Sequence, residues 1–408
     1  ASGLRPLGMR PGGRNMSLLT QADALRLPLA DDSVDLIVTS PPYFALRSYQ
    51  DGDEHYDGQI GSEASPQEFL EALWAATAEM VRVVKPSGSI FVNLGDKYAN
   101  PTGSGSAGWK NPQWDCAKPA APQNTLGMGV RQKSLMGLPW RYAIGCIDDL
   151  GLILRSEIVW SKPNGLPESV TDRVRRSHEQ WFHFTLEPRY FSAIDEIREA
   201  YTSEAAHAFT GHAKQYGDQR NDDGRNCVGE KNPLGKLPGS VWSIPSEPLQ
   251  VPDHLGVDHF AAFPQEWPRR LILGWCPQEV CSECGQGRAP VVEKDYAGVV
   301  STIPGGTSTE GRHRSTQGID HDVATVATIT GYACACPDNS APSTPGVVLD
   351  PFAGTGTTVM VARALGRTGI GVDLSADYLR LANWRVFDSG HAAKTMRRTN
   401  QERQGALL

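Results

Sequence analysis

The sequence predicts an α/β fold, a doubly wound and mostly parallel sheet with helices on both faces. Apolar runs at Val34–Val38 and Val347–Leu349 are typical of buried strands, and each leads directly into a polar loop. A succession of strand, loop, helix, turn and strand follows the first of them, as in parallel strands joined by crossover helices. Ligands bind such sheets at the loops that follow the carboxyl ends of strands.

The first half of the chain begins with a strand-rich segment over 18–38 and continues into a well-marked helix. Ser65 fits an N-cap, a proline takes the first helical position, and Glu68 completes a capping box. Apolar residues then recur at spacings of three and four, which gives the helix one apolar face. Pro86–Gly88 is predicted to end this helix before a strand at Ile90–Leu94.

The second half supplies a further helix, two strands and a closing unit of strand, glycine loop, helix, strand and helix. The predicted elements are a helix at Pro139–Leu150, strands at Leu152–Trp160 and Gln180–Leu186, and then Thr357–Leu365 (helix), Thr368–Asp373 (strand) and Ser375–Phe387 (helix). We find no internal repeat.

Composition favours a globular protein with many loops, since the chain has 408 residues with 42 Gly and 29 Pro. No apolar run reaches the roughly 18 residues that a membrane span needs. The segment 1–14 also lacks the apolar stretch of a signal peptide, so we expect a cytoplasmic protein. The net charge of −7 argues against a general nucleic-acid coat protein but permits a local basic face.

A glycine-rich loop closes one predicted strand and opens a helix. Gly354 and Gly356 allow tight turns and close approach of a ligand, and the helix N-terminus suits a carboxylate. Asp373 ends the next strand, 17 residues beyond Gly356, near the spacing at which Rossmann-like sites place an acid on ribose hydroxyls. The alternatives are another kind of nucleotide site or a structural turn.

A second loop, Thr39-Ser40-Pro41-Pro42-Tyr43, follows the first buried strand. Its two prolines fix φ and remove two N–H donors, so a rigid loop presents acceptors without competing donors. Ser40 Oγ and the Pro41 carbonyl are therefore candidate acceptors for an amine, and Tyr43 offers a flat face for stacking on a ring. The alternative is an incidental Pro-Pro turn.

Together the two loops resemble the beta class of S-adenosyl-L-methionine-dependent DNA methyltransferases, which modify exocyclic amines and carry the catalytic loop first. The resemblance implies a Rossmann-like methyltransferase fold and S-adenosyl-L-methionine as the cofactor. Ser-Pro-Pro-Tyr resembles the N4-cytosine subgroup more than the N6-adenine subgroup, which more often has Asp or Asn at the position of Ser40. The cofactor residues implied on the glycine loop are Asp350, Pro351, Phe352, Ala353, Gly354, Thr355, Gly356 and Thr357, with Asp373 as the ribose acid.

Shorter strings carry further parts of the same resemblance. The segment with His259, Phe260, Ala261, Phe263 and Pro264 resembles the one that lines the methionine end of the cofactor, and Asp23 resembles the acid at its adenine amine. Asn93-Leu94-Gly95-Asp96 resembles a recurrent family string, but no role for Asp96 follows from it. The residues assigned to the target-base side are Trp160, Lys162, Asn164, Arg173, Arg175 and Arg176.

Some of these assignments also have a purely structural alternative. Trp160 alone is equally compatible with core packing. The basic stretch around Arg173 and a second one at 394–398 are each compatible with a solvated surface.

The resemblance implies transfer of methyl to cytosine N4 in double-stranded DNA, by direct displacement on a flipped base. The chain has no Pro-Cys pair, which methylation at cytosine C5 requires. The alternatives are N6-adenine methylation, methylation of RNA or of a protein amide, and a DNA-binding module without activity. A cognate restriction endonuclease is a further partner that the resemblance admits, while recognition sequence and oligomeric state are open.

On this interpretation the chain divides into six parts. These are the catalytic half (15–190), a target-recognition region (191–245), a cofactor-lining segment (246–275), a cysteine-bearing insertion (276–340), the cofactor-binding half (341–390) and a tail (391–408).

Within the insertion, four of the eight cysteines form two close pairs. Cys281 and Cys284 form a knuckle of the zinc-ribbon type, and Cys334 and Cys336 supply a second pair with one intervening residue. Four thiolates suit a structural Zn²⁺ site in a small zinc-ribbon-like insertion. Unbound thiols are the alternative, and Cys276, His313 and His321 are substitute ligands.

Overall fold

The structure is a computed structural model. It describes residues 17–45, 50–51, 54–55, 59–99, 130–165, 167–201, 232–249, 251, 255, 262–296, 325–337 and 340–388. In these ranges no helix is both long and apolar enough to cross a membrane.

The described strands number fourteen and the described α-helices five. The strands are β1 (Leu18–Gln21), β2 (Val34–Thr39), β3 (Gln50–Asp51), β4 (Glu54–His55), β5 (Val84–Leu94), β6 (Ile153–Ser161), β7 (His178–Thr185), β8 (Val241–Ser243), β9 (Glu279–Cys281), β10 (Ala289–Tyr296), β11 (Thr325–Ala333), β12 (Ser343–Pro345), β13 (Val347–Asp350) and β14 (Thr368–Asp373). The helices are α1 (Pro66–Val83), α2 (Leu138–Asp148), α3 (Glu266–Trp275), α4 (Thr357–Ala364) and α5 (Ala376–Phe387), with a one-turn 3-10 helix at Ile194–Ile197.

Eight strands form one sheet in the order β1-β14-β13-β2-β5-β7-β6-β8. All run in the same direction except β7, which is antiparallel to both of its neighbours. The N-terminal β2 therefore lies directly against the C-terminal β13, and the two ends of the chain share one sheet. The predicted doubly wound, mostly parallel architecture is confirmed.

Alternate residues of the central strands enter two separate cores, which explains their continuous apolar runs. Leu36 and Val38 pack in the core with α3 and α4, whereas Ile37 packs in the core with α1 and α2. The same alternation continues on β13, where Val348 and Leu349 enter opposite cores. Helices therefore cover both faces, and a polar substitution on these strands has no exposed face to occupy.

Helix α1 has the predicted start but ends differently from the prediction. The Ser65 side chain accepts from the Glu68 amide, and the Glu68 carboxylate accepts from the Ser65 amide at 3.1 Å. At the other end the chain passes from Val83 straight into β5, so Pro86–Gly88 lies within a strand. A Cβ on Gly88 would lie 2.9 Å from the Asp35 carbonyl oxygen, so glycine lets β5 pass close to β2 at this irregular point.

One edge of the sheet collects the segments that the sequence singled out. Since the strands around β2 are parallel, the residues that follow β1, β2, β5, β13 and β14 all lie at this edge. The direction of β6 brings residue 162 there too. Because β7 runs the other way, it is its first residues, 178 and 179, that join the group.

Asp96, which the sequence left without a role, caps α2 across the sheet edge. The helix begins at Gly137 in the left-handed region (φ 70°), without a side chain of its own to cap it. The Asp96 carboxylate accepts from the Gly137 and Leu138 amides, both at 3.1 Å, and from the Lys97 amide at 2.9 Å. A carboxylate there also interacts favourably with the helix dipole.

Replacing Asp96 by alanine is expected to lower the free energy of unfolding by about 0.5–2 kcal/mol, the usual cost of removing a helix cap. Asp96→Asn is the matched control, because its amide oxygen still accepts, and it should lie closer to the wild type. Urea unfolding followed by circular dichroism measures both. An alanine variant as stable as the wild type would contradict the capping role.

Candidate active site at the carboxyl edge of the sheet

A buried carboxylate joins the two loops that the sequence singled out. Asp350 at the end of β13 is 1% exposed. One of its oxygens accepts from the Thr39 hydroxyl at 2.7 Å, and the other accepts from the Thr358 hydroxyl at 2.8 Å. Burial raises the pKa of Asp350 to about 6, although both hydroxyl hydrogen bonds act in the opposite direction. The loop after β2 is thereby tied to the start of α4.

Both oxygens of Asp350 point into the protein, where they brace the glycine loop.

The glycine loop itself is closed by the predicted ribose acid. Asp373 accepts from the Gly354 amide at 2.7 Å and from the Ser375 amide at 2.9 Å. Gly354 and Gly356 both have positive φ (48° and 72°), as the predicted tight turns require. A Cβ on Gly356 would also lie 2.9 Å from Ala382 Cβ, so this glycine is needed for packing against α5. Helix α4 starts there without a side-chain cap, which suits a ligand carboxylate.

Asp23 directly follows the residue that joins the end of β1 to the end of β14. It is exposed just beyond β1, and the Ala22 amide donates to the Asp373 carbonyl at 3.1 Å. Its own carboxylate accepts from the Leu25 amide at 2.9 Å.

A buried arginine supports the glycine loop from behind. Arg385 on α5 is 3% exposed, and it donates to the Thr355 hydroxyl at 2.5 Å and to the Thr357 hydroxyl at 2.9 Å. Burial lowers its pKa to about 10. The side chains of Thr355 and Thr357 are buried against this guanidinium, so they brace the loop from the inside. Pro351 and Ala353 are buried as well, and Phe352 is partly buried.

The Ser-Pro-Pro-Tyr loop is held by polar groups on the two neighbouring strands. The Ser40 hydroxyl donates to Asn93 Oδ1 at 3.2 Å, and the Tyr43 hydroxyl lies 2.8 Å from the same atom and 2.9 Å from Glu179 Oε2. A Cβ on Gly95 would lie 2.6 Å from the Tyr43 ring carbon Cε2. The ring therefore rests on bare backbone, and Gly95 has a steric reason to be glycine.

Residues from outside the motif fix the turn that follows it. The Ala45 amide donates to the Gly61 carbonyl at 2.8 Å, and Lys97 Nζ donates to the Ala45 carbonyl at 2.6 Å. Burial lowers the pKa of Lys97. Pro41 is buried and Pro42 partly so, which leaves the loop with little freedom.

Lys162 lies at the same edge of the sheet, and its ammonium is 2.5 Å from Glu179 Oε1. Trp160 differs from the prediction: its side chain is 4% exposed, and its indole N–H donates to the Ile244 carbonyl at 2.7 Å. Trp160 therefore packs in the core, and it meets Lys162 only through its ring face, 4.0 Å from Nζ. Asn164 exchanges two hydrogen bonds with the Ser246 backbone and so joins two loops.

The three arginines assigned to the substrate side lie on the loop between β6 and β7. Arg173 stacks 3.8 Å above the Tyr98 ring and pairs with Glu168 at 2.8 Å. Arg175 donates to the Gly165 carbonyl, and Arg176 donates to Gln180 Oε1. Their side chains are partly or fully exposed, so this loop presents positive charge next to the Ser-Pro-Pro-Tyr loop.

Only part of the predicted methionine-lining segment can be placed. Phe263 packs edge-on against Trp181 at 5.7 Å, and Pro264 is buried at the start of α3. His259, Phe260 and Ala261 lie outside the described residues. The same holds for much of the target-recognition region and for the whole tail.

The four predicted cysteines converge. The Sγ atoms of Cys281, Cys284, Cys334 and Cys336 all lie within 4.8 Å of one another, and those of Cys281 and Cys336 are 3.8 Å apart. A tetrahedral site with Zn–S bonds of about 2.3 Å has sulfur–sulfur edges of about 3.8 Å, so the donor set fits Zn²⁺. Backbone N–H groups of Cys284 and Glu283 lower the pKa of Cys281 to about 6, whereas hydrogen bonding to the neighbouring thiols raises the pKa of Cys336.

The substitute ligands proposed from the sequence are not part of this cluster among the described residues. Cys276 is fully buried, with its Sγ against the Pro277 carbonyl, and burial raises the pKa of this thiol. His313 and His321 lie outside the described residues.

Sequence reasoning missed three residues that organise the site: Glu179, Arg385 and Lys97. Asn93 was noted only as part of a string. Each acts on a loop far away along the chain, and none belongs to a local motif. Two signals were available in the sequence: a Glu directly before a predicted strand, and an Arg on a helix face that is otherwise buried. Neither signal is specific.

Comparison with known proteins gives consistent results. A family model described as a DNA methylase matches residues 34–279 and 340–383. The type II methyltransferase M.XycI of Xanthomonas campestris pv. cyanopsidis is 32% identical over 373 residues, which are 90% of this chain and 86% of that protein. M.Cfr9I of Citrobacter freundii, also a type II methyltransferase, is 36% identical over 264 residues, 64% of this chain and 72% of its own.

A solved structure has the same fold. The PvuII DNA methyltransferase, described as cytosine-N4-specific, matches with a TM-score of 0.50 at 16% identity, and the match covers 95% of this chain and 93% of that one. At this identity the likeness concerns the fold.

The buried Asp350 makes stability depend on pH. Its pKa is about 6 in the folded protein and 3.8 ordinarily, so the folded state binds the extra proton between these values. Its contribution to stability is therefore fully present below about pH 4 and is lost as the pH rises through about 6. Relative to Asp350→Asn, the wild type should lose about 2–3 kcal/mol of unfolding free energy over that interval. Parallel pH curves for the two proteins in chemical denaturation would contradict this assignment.

Proposed function

The chain belongs to the DNA methylase family, and on that premise we propose that it transfers methyl from S-adenosyl-L-methionine to cytosine N4 in double-stranded DNA. One observation carries the proposal: the Asp350 carboxylate binds Thr39 and Thr358 at once. A loop rich in amine acceptors is thus fixed beside a glycine loop suited to a nucleoside with a carboxylate. The two substrates of an amine methylation need such adjacent sites.

The glycine-loop side supports the cofactor assignment. The uncapped N-terminus of α4 suits the amino acid carboxylate of S-adenosylmethionine, and Asp373 and Asp23 lie in order along the sheet edge for its ribose and adenine. The bound cofactor supplies a methyl group on a positively charged sulfur, which is the electrophile. The chain's own task is to orient the nucleophile.

Ser40 is placed to orient the target amine. Because its hydroxyl hydrogen is directed to Asn93 Oδ1, the Ser40 oxygen is left as an acceptor for an amine hydrogen. The Pro41 carbonyl takes the second amine hydrogen in this mechanism. Holding both hydrogens turns the N4 lone pair out of conjugation with the ring and toward the methyl carbon, so orientation lowers the barrier. The proton that N4 then loses passes to solvent, without a covalent enzyme intermediate.

A base must leave the helix to reach this edge. The Tyr43 ring, supported from below by Gly95, offers a stacking face for it. The arginines of the β6–β7 loop are placed to contact phosphates next to the site, despite the acidic net charge. The type II relatives also make a cognate restriction endonuclease a reasonable partner.

Ser40 favours cytosine over adenine as the target, and the cytosine-N4-specific fold neighbour agrees with that choice. Mass spectrometry of nucleosides from DNA incubated with the protein and methyl-labelled S-adenosylmethionine tests it. Labelled N4-methylcytosine supports the proposal, and labelled N6-methyladenine changes the base but keeps the mechanism. DNA without label, from protein that binds the cofactor, would refute the assigned substrate.

We further propose that the four cysteines hold one structural Zn²⁺. The knuckle turns at Gly285 (φ 69°), and the Gly285 amide donates to the Cys281 carbonyl at 3.0 Å. Strand β9 of the knuckle pairs with β12, and Gly346 connects β12 directly to β13. The metal would thus brace the entry to the cofactor strand and take no part in methyl transfer.

Ser40→Ala should lower kcat strongly while cofactor affinity stays within about twofold, because the hydroxyl serves the base alone. Asp373→Ala is the reciprocal variant and should weaken cofactor binding by about 1–3 kcal/mol, the cost of unpaired polar groups. Isothermal titration with S-adenosylmethionine and single-turnover methylation separate the two effects. Equal cofactor affinity in wild type and Asp373→Ala would contradict the ribose assignment.

Cys284→Ser should reduce the bound zinc and lower the thermal midpoint, since three thiolates bind the ion less tightly than four. Elemental analysis of the purified protein and a thermal scan with and without chelator measure this. Cys146→Ser is a control on the zinc content, because Cys146 is buried beside α1, away from the cluster. Protein that is free of zinc and insensitive to chelator would overturn the metal assignment.

A further inference from the structure

Glu179 belongs to none of the motifs, yet it lies at the centre of the polar groups around Tyr43. It is the second residue of β7, and β7 runs against its neighbours, so its first residues reach the edge where the parallel strands end. One oxygen of its carboxylate is 2.5 Å from Lys162 Nζ and the other is 2.9 Å from the Tyr43 hydroxyl. Glu179 therefore connects Tyr43 of the Ser-Pro-Pro-Tyr loop to Lys162, the cation that directly follows β6.

The Tyr43 hydroxyl has one hydrogen but two acceptors within reach, Glu179 Oε2 and Asn93 Oδ1. The carboxylate is paired with an ammonium, so it is the charged acceptor, and charge-assisted hydrogen bonds are the stronger ones. The hydrogen is therefore directed to Glu179. Asn93 Oδ1, which has two lone pairs, accepts the Ser40 hydrogen at 3.2 Å.

The orientation of Asn93 is itself fixed, because its Nδ2 donates to the Gln180 carbonyl at 3.1 Å. Gln180 is the residue next to Glu179, so one strand end sets both acceptors. Asn93 is 1% exposed and cannot turn to solvent. Gln180 thus orients the Asn93 oxygen that accepts the Ser40 hydrogen, and the adjacent Glu179 accepts the Tyr43 hydrogen.

Packing contacts also hold Tyr43 and Lys162, the two partners of Glu179. The Tyr43 ring lies on the Gly95 backbone, and Lys162 Nζ lies over the buried Trp160 ring at 4.0 Å. The side chains of Lys162 and Glu179 are only 22% and 17% exposed, so water screens their ion pair less than it would at the surface.

We propose that Glu179 is a positioning residue for methyl transfer: its carboxylate holds the Tyr43 ring and the Lys162 ammonium in place. The inference rests on the proposed function. It adds a residue that acts through its neighbours and has no contact of its own with the base.

A double-mutant cycle between Glu179 and Tyr43 tests the proposal. Tyr43→Phe keeps the stacking ring and removes only the hydroxyl, and Glu179→Ala removes its partner. Each single variant should lower kcat by about tenfold while cofactor affinity stays within about twofold. The kcat of the double variant should be no lower than that of the less active single variant, since both substitutions remove the same hydrogen bond. Additive losses, about a hundredfold together, would overturn the coupling.

Two further variants keep the test clean. Glu179→Gln still accepts from Tyr43 but loses the charge that faces Lys162, so it should recover part of the kcat lost in Glu179→Ala. A glutamine variant no better than alanine would contradict the orienting hydrogen bond. Glu187→Gln makes the same chemical change at the exposed far end of the β7 segment and should match the wild type in kcat.

The proposed function and the positioning role fail in different ways. If wild-type protein labels no base in DNA, the proposed function fails, and the same four proteins are compared by urea unfolding for coupling between Tyr43 and Glu179. If the wild type is active and the losses in kcat are additive, only the positioning role fails. Coupling in unfolding without coupling in kcat also rejects it, because the contact would then be merely structural.

Discussion

The site depends on one buried carboxylate and the two hydroxyls that bind it. Asp350 connects Thr39 to Thr358, residues 311 and 8 positions away in the chain. The carboxylate has no contact with solvent, and desolvation opposes its charge. Two hydroxyl donors and the Phe352 amide offset that cost, so the charged state requires the loop after β2 to be in place. The relative position of the Ser-Pro-Pro-Tyr loop and the glycine loop is thereby set before any ligand binds.

The rest of the sheet makes this contact possible. Because β2 and β13 are buried on both faces, they lie in the interior of the sheet, where helices cover both sides. Parallel pairing then puts their carboxyl ends at one edge. The antiparallel β7 contributes the beginning of a strand to the same edge, which is how Glu179 comes to face residues that follow other strands.

Support from behind the loops is as important as the residues in front. Arg385 holds Thr355 and Thr357 from α5, and Lys97 holds the carbonyl of Ala45 after the Ser-Pro-Pro-Tyr loop. The cysteine cluster stands one short strand away from β13. Each of these groups fixes backbone whose position matters for a ligand, and each is removed from the ligand itself. Preorganisation of this kind limits what the site must rearrange when substrates bind.

The sequence by itself determined the elements and the two loops. Continuous apolar runs, the capping box at Ser65 and Glu68, and the strand–glycine loop–helix succession all act locally, so their outcome could be predicted. The prediction that Pro86–Gly88 separates the helix from a later strand was wrong, because β5 begins directly at Val84 and pairs with β2 from there. The convergence of the four cysteines was also predictable, since two close cysteine pairs in one insertion are typical of a shared metal site.

Only the tertiary structure decided the roles of individual side chains. Trp160, a candidate base contact in the sequence, is a buried core residue, and the side chains of Asp350, Thr355 and Thr357 are buried as well. Asp96 accepts hydrogen bonds at the start of α2, some forty residues later in the chain, and Glu179 accepts a hydrogen bond from Tyr43, which lies two strands away in the sheet. Such contacts join residues far apart in the chain, and no local pattern encodes them. The physical reason is that strand order and direction choose the neighbours, and those are settled by burial of the whole sheet.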